Sequence, residues 1–524
     1  MKVVSLVLTV AFSLLLWSHC GSGQSSPVDG GEQTGTPDQS SQETQAALGP
    51  SCQEGCWKFE LGLIDPRGLQ LTPEGSVWVL GVFNRATQIT DSQGTSKDIK
   101  PVGLGTNVLF HIDSNGIEKQ TILFGEHGNV GVHAMALHGD GHVIATMVRN
   151  NAKLFGTELT FKGYHAVVAR RSSQGTLAWW AELRSNRTNP PTIHRVITGP
   201  EKNVYVCGEA SSKLEFFSAS KRDNAFTTMS ASPNTAQGFV AKLSSSGDFQ
   251  WVTPLTSRGF SRCVDIAVNK DKTVHLTGEW SGKLTGLASP VDSVNLSMFV
   301  GKLDADGKPV WQATSTSSNS KDKQHAGRIA VAEDGTSVVV GHYQTVDLMN
   351  KATATFGSTT LQTIGKYDGY IAKVTPDGTW KSAQSVGVKE ETYDSRSGSG
   401  TTRIQTVTRL KGIGMFDQRI FAIGEFDTRT PPPQQIITSV TKSDVLGAAL
   451  NRSGGWLAEL SNSLQGKWVS PIGTKGIGNP VWMGLSKKHA FLAARIQGKL
   501  DFGSLTSTEE PTKPFVLLRI PHSK

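Results

Sequence analysis

Apolar and polar positions alternate along this chain in short paired arms, each pair joined by a polar turn. The arms read "LQLTPEGSVWVLG", "MALHGDGHVIATM", "VITGPEKNVYVCG", "IAVNKDKTVHLTG", "IAVAEDGTSVVVG", "LKGIGMFDQRIFAIG" and "MGLSKKHAFLAAR". The turns carry Pro, Gly, Asp, Asn and Lys, as tight turns require. The second arms alternate or run apolar with β-branched residues, as half-buried strands do. Each phrase therefore predicts a β-hairpin.

A second phrase falls between the hairpins: "NVLFHIDSNG", "AVVARRSSQG", "GFVAKLSSSG", "MFVGKLDADG", "GYIAKVTPDG", "GWLAELSNSLQG" and "PFVLLRI". The copies start near Val108, Val167, Phe239, Phe299, Tyr370, Trp456 and Phe515, at spacings of 59 to 86 residues. After the Gly turn a further strand follows, often opening on tryptophan, as at Trp179, Trp251, Trp311 and Trp468. Each unit thus holds four strands. One such sheet cannot bury both faces alone, whereas repeats arranged radially can. The expected fold is all-β: a seven-bladed β-propeller of four-stranded antiparallel blades. The last copy stops short of its tryptophan strand, while "CWKFELG" precedes the first hairpin. Trp57 matches Trp311 in "WQATS", so residues near 57–63 are expected to complete the last blade and close the ring.

"GFVAKLSSSGDFQW", "MFVGKLDADGKPVW", "TATFGSTTLQTIGKYDGYIAKV" and "LDFGSLTS" resemble the bacterial SBBP repeat, named for seven-bladed β-propellers. The resemblance spans roughly residues 57–524 and is clearest at 236–380. It implies an exported or surface-associated protein, often a lipoprotein. It brings no catalytic residues.

The N-terminus reads as an address. "MKVVSLVLTVAFSLLLWSHC" has one lysine, an apolar run and then small and polar residues, the layout of a secretory signal peptide over 1–20. Residues 21–51 are rich in Ser, Gly, Gln, Thr and Pro and cannot bury enough surface to fold. The folded domain is expected over 52–524. Cys20 sits where a lipoprotein carries its lipid, although His19 and Trp17 depart from the lipobox pattern. Two routes stay open: lipidation at Cys20, or cleavage between about residues 20 and 24 and release. The protein is accordingly expected at the outer membrane or cell surface, or secreted. Cys52, Cys56, Cys207 and Cys263 form an even set in an oxidising compartment, which suggests two disulfides. Spacing alone does not choose among three pairings. "CQEGC" is a close local pair, and Cys207 with Cys263 follows by elimination.

Charged residues make up 18% of the 524, Gly numbers 56, and the formal net charge is +8. Lys and Arg are spread along the chain without aromatic interleaving, so a solvated basic surface is expected and nucleic acid is not. No metal or cofactor is expected, because no Cys or His set has ligand spacing. "DADGKPVW" superficially resembles an Asp-box, but Ala305 stands where the aspartate is needed, and the stretch reads as a turn. His133, His138 and His142 lie close in "VHAMALHGDGHV", yet His138 and His142 flank a tight turn on opposite arms. The hairpins' second arms end at Glu209, Glu279 and Glu425, with His342 in the matching place. Equivalent positions on different blades point to one end of a propeller, so these four are the candidate binding residues at a channel mouth. The insertions 389–409 and 428–447 read as irregular, polar contact loops. Asn186, Asn295 and Asn451 stand in glycosylation sequons.

Two readings follow. The first is an exported monomeric scaffold that binds a protein or glycan, touching membrane only through a lipid anchor, with no catalytic residue. The alternative is a hydrolase or lyase acting on extracellular polysaccharide with acidic residues at the channel mouth.

Overall fold

A computed structural model describes residues 55–522, apart from 104, 127–128, 186–189, 231–234, 318, 346–350, 364–366, 389–391, 395–400, 404–405, 429–433, 440–444, 451–452, 473–474, 500, 503–504 and 507–514, together with Ala47–Leu48. Cys20, Cys52, Asn186, Asn451, the signal-like segment and most of the 21–51 linker lie outside these residues, and with Cys52 any Cys52–Cys56 pairing.

The described residues are all-β, built from sheets paired antiparallel apart from Ala47–Leu48 with Gly466–Ile472 and the Tyr367–Val407 contact, and from a single 3-10 turn. In one sheet Asp65–Leu71, Val77–Phe83, Thr106–Ile112 and Glu118–Phe124 pair in chain order. The same order recurs in Thr192–Thr198, Val204–Ala210, Gln237–Leu243 and Phe249–Leu255. It recurs again from the leading strands Asn129–His138, Ser261–Val268, Asp322–Val331 and Thr406–Phe416. The sequence hairpins are the first two strands of these units, and the tryptophans open the fourth.

The sheet led by Lys475–Leu485 and His489–Lys499 takes its third strand from Phe515–Pro521 and its fourth from Trp57–Gly62. Trp57 stands opposite Arg519 and Phe59 opposite Leu517. The two ends of the folded region therefore share a sheet, as the unmatched "CWKFELG" suggested.

Neighbouring sheets pack face to face. Val143, Val168 and Leu183 of one sheet meet Val196, Val206 and Phe239 of the next, all fully buried. Each such side chain contributes about 1.5–3 kcal/mol through burial. The leading strands also touch in series. Asp65–Leu71 lies against Asn129–His138, that against Thr192–Thr198, and so on through Ser261–Val268, Asp322–Val331 and Thr406–Phe416 to Lys475–Leu485, which packs back on Asp65–Leu71.

Two further devices join adjacent sheets. The tryptophan of a fourth strand donates its indole N–H to a turn carbonyl of the next sheet: Trp57 to Ser114 at 3.0 Å, Trp179 to Ser245 at 2.9 Å, Trp251 to Ala305 at 3.0 Å and Trp311 to Pro376 at 2.8 Å. A hairpin inserted between the second and third strands of one sheet also pairs with the outer strand of the sheet before it. Leu214–Phe217 pairs with Leu177–Ser185, Thr353–Phe356 with Pro309–Thr316, Gln434–Ser439 with Trp380–Val388, and Thr87–Thr90 with Trp57–Gly62. Within 428–447, the part expected to be irregular, lies one of these hairpins; in 389–409, Thr392–Asp394 pairs with Thr401–Arg403. Polar composition misled there because edge strands carry polar residues on the side facing water.

The expected Cys207–Cys263 disulfide is not formed. Both are free thiols with no exposed surface, and both fill the core between facing sheets. Buried thiols behave as small apolar side chains. Burial, then a hydrogen bond and charge from Cys207, push the Cys263 thiol well above its ordinary pKa, which suppresses the reactive thiolate. Asn295 lies within the strand Val291–Leu303, and its amide donates to the Asn319 carbonyl at 2.9 Å. No helix among the described residues is long and apolar enough to cross a membrane.

Candidate functional site

Each leading strand slips register by an inserted residue as it pairs with its hairpin partner. The skipped residue is Arg67 between Pro66 and Gly68, His133 between Val132 and Ala134, and His194 between Ile193 and Arg195. It is Val264 between Cys263 and Asp265, Lys411 between Leu410 and Gly412, and Val481 between Pro480 and Trp482. In Asp322–Val331 the slip is wider and skips Gly327 and Arg328. A bulge leaves its extra residue out of the ladder and re-aims its side chain. The bulges stand at matching places on strands that pack side by side, so the re-aimed side chains gather at one level.

There a cavity of about 450 Å³ opens, lined by Asp65, Arg67, His133, His194, Arg328 and Trp482 among others. Its polar chemistry is cationic and imidazole-rich. Arg67 pairs with Asp65 at 2.6 Å and Arg195 with Asp265 at 3.0 Å. Arg328 reaches Asp265 at 3.7 Å and lies over the Trp482 ring at 4.4 Å. Burial, then the neighbouring His194 and Arg67, lower the pKa of His133 to about 4, against the pull of the Ile193 backbone. His133 is therefore a neutral imidazole at neutral pH.

The four sequence-predicted residues share one register, on second strands rather than on the cavity wall. Glu209 stands opposite Thr192, Glu279 opposite Arg262, His342 opposite His325 and Glu425 opposite Arg409. Each glutamate faces basic or imidazole side chains of the leading strands. Glu209 meets His194 at 3.5 Å. Glu279 meets Arg262 at 2.8 Å and His325 at 3.4 Å, and accepts the Ala326 N–H at 3.0 Å. Glu425 meets Arg409 at 3.2 Å and Lys411 at 3.0 Å. His342 stacks on His325 with ring centroids 4.5 Å apart. Burial pushes the Glu279 carboxyl up, but His325 and Arg262 outweigh it and hold it below its ordinary value. Burial and the cations around His342 push its pKa well down. Of these carboxylates, Glu209 touches the cavity wall, through His194.

Of the histidine cluster, His133 alone lines the cavity. His138 contacts the Lys202 carbonyl at 2.8 Å and accepts from Arg170 at 2.9 Å. His142 is buried edge-on to Trp78, with ring centroids 4.1 Å apart. No group of three or more His, Cys, Asp or Glu among the described residues could hold a metal ion. Asp304, in the Asp-box-like stretch, accepts the N–H groups of Asp306 and Lys308 at 2.9 and 2.8 Å and shapes a turn.

Buried polar atoms lacking a well-aligned hydrogen bond gather here: His194 Nε2, Arg195 Nε, Glu209 Oε2, Arg262 Nε, Asp265 Oδ1 and Glu279 Oε2. Their residues are joined in the ion pairs His194–Glu209, Arg195–Asp265 and Arg262–Glu279. The sequence analysis missed the bulge residues. A signal existed: "DPRG", "GVHA", "TIHR", "HAGR" and "RLKG" each put a basic or imidazole residue just before an apolar arm.

No family model matches the chain, and no curated protein does. The resemblance to the SBBP repeat therefore rests on the quoted phrases. Among solved structures, virginiamycin B lyase from Staphylococcus aureus is similar at 12% identity and a TM-score of 0.27, covering 59% of this chain and 88% of that one. A protein of unknown function from Dyadobacter fermentans shares 9% identity with a TM-score of 0.37, covering 90% and 100%. The endosialidase of phage phi92 shares 8% with a TM-score of 0.33, covering 90% and 70%. At these identities and scores, no activity passes from them to this chain.

Proposed function

We propose that the chain is a seven-bladed β-propeller that serves, exported or lipid-anchored through Cys20, as a monomeric scaffold binding an acidic glycan. The propeller reading is supported by leading strands that touch in series and by the sheet shared between Trp57–Gly62 and Phe515–Pro521. The binding reading rests on one observation: the bulges put Arg67, His133, His194, Arg328 and Lys411 at matching places, and the first four of these line one cavity. Cations held by a rigid wall attract anions without first having to be ordered. Of the glutamates singled out in the sequence, Glu209 holds His194 and Glu425 holds Lys411, while Asp65 holds Arg67 and Asp265 faces Arg328.

The test is retention of the full chain on immobilised polyuronate against a neutral polysaccharide. Salt-sensitive retention on the polyuronate, weakened in Arg67→Gln/Lys411→Gln, is expected. Equal retention on both matrices overturns the reading.

A lyase reading is favoured by the neutral His133 imidazole near Arg67, a base beside a cation able to hold a carboxylate. Incubation with polyuronate would then yield unsaturated products detectable by ultraviolet absorbance, and His133→Gln would abolish them. An unchanged spectrum leaves the scaffold reading.

A further inference from the structure

The charge around Arg328 is unbalanced. Arg195 and Arg328 both face Asp265, at 3.0 and 3.7 Å, and the other oxygen of Asp265 accepts the Ile329 N–H at 3.0 Å. Two guanidiniums thus share one buried carboxylate, and one positive charge remains. That surplus belongs to Arg328, which lies at the longer distance and lines the cavity. Among the described residues its polar contacts are the long ion pair and the face of Trp482. It donates no hydrogen bond there, although a guanidinium carries five N–H donors. Trp482 is itself fixed by its indole donating to the Pro66 carbonyl at 3.1 Å. The guanidinium is therefore oriented before any ligand arrives, with its donors unspent.

We infer, resting on the glycan-binding reading above, that the pocket grips one uronic-acid residue through a bidentate pair between its carboxylate and Arg328. A planar guanidinium fork matches a carboxylate oxygen for oxygen, whereas an ammonium offers a point charge. A single negative charge balances the surplus, and a dianion would overshoot it. A cavity of about 450 Å³ accepts one or two sugar residues. The imidazoles of His133 and His194 can donate to or accept from the hydroxyls of the same sugar.

Calorimetry of the full chain tests this with three probes: an oligouronate, the same oligosaccharide with its carboxylates reduced to alcohols, and a sulfated oligosaccharide of equal length. Arg328→Lys and Arg328→Gln are compared with the wild type. Both should fold, because Asp265 keeps Arg195, and melting curves check this. Reducing the carboxylates, or changing Arg328 to Lys, should each weaken oligouronate binding about tenfold or more, as loss of a charged bidentate pair does. Equal oligouronate affinity in Arg328→Lys, or equal affinity of the reduced oligosaccharide, overturns the inference. Binding of the sulfated probe alone also overturns it and leaves the broader scaffold reading standing. Binding of none of the three removes both.

Discussion

The indole of Trp251 covers Gly307 of the neighbouring sheet so closely that a Cβ at Gly307 would fall 2.5 Å from Trp251 Cδ2. Gly307 also has φ +78°, a left-handed conformation that favours glycine. Trp57 over Gly116, Trp179 over Gly247 and Trp311 over Gly378 repeat the arrangement, with distances of 2.7, 2.5 and 2.8 Å. The recurring Gly turn and recurring Trp are thus two halves of one contact between consecutive sheets.

Gly307→Ala combines a strained φ, costing about 1–2 kcal/mol, with overpacking that costs about 1–3 kcal/mol. Chemical denaturation should show a loss of about 2–5 kcal/mol. Adding Trp251→Leu should make the double variant less unstable than the sum of the singles. Strict additivity would mean that the ring and the glycine do not meet.

Stability should fall between about pH 6.5 and pH 4. His133, His142 and His275 are held near 4 in the folded state, chiefly by burial, against an ordinary 6.5. In that window the unfolded chain binds more protons, so stability rises with pH and drops as pH falls. Denaturant midpoints measured across the window would read this directly, and a flat profile would contradict it.

Glu182 is buried and contacts His165 at 2.5 Å and Arg184 at 2.9 Å. Burial raises its pKa, but these partners outweigh burial and the net shift is downward. Glu182→Gln should cost about 3 kcal/mol at neutral pH, as breaking a buried pair does. A depressed carboxylate stabilises above its unfolded value of 4.5, and the effect fades as pH falls through the folded value. The gap between wild type and variant should therefore shrink in acid. A gap independent of pH would assign the loss to packing.

Cys207 and Cys263 should resist a maleimide reagent in the native protein and react once the chain is unfolded, as peptide mapping would show. Modification of the native protein would mean that the facing sheets open locally.

The hairpins were legible because alternation and turn residues both mark them. The fourth strands were legible through their tryptophans, and the borrowed strand at Trp57 through a missing copy. The bulges were not read: a basic or imidazole residue before an apolar arm, as in "TIHRVI", marks their place only once the pairing register is known. Glu209, Glu279 and Glu425 drew attention because each ends an obvious arm after glycine. Among the side chains they meet, His194 and Lys411 sit where the period breaks. The covering hairpins escaped for a related reason, since a strand that pairs with another repeat's edge has no partner nearby in sequence.

Those covering hairpins set the unit by which such a chain could grow or shrink. Leu214–Phe217 is encoded with one sheet and completes the one before it. Excising a single sheet would remove the cover of the sheet before it and take away the edge that the following sheet's hairpin covers. The stretch of gene that can be duplicated or lost cleanly is therefore out of phase with the sheets: it begins inside one and ends inside the next, as the split between Trp57–Gly62 and Phe515–Pro521 already does at the termini.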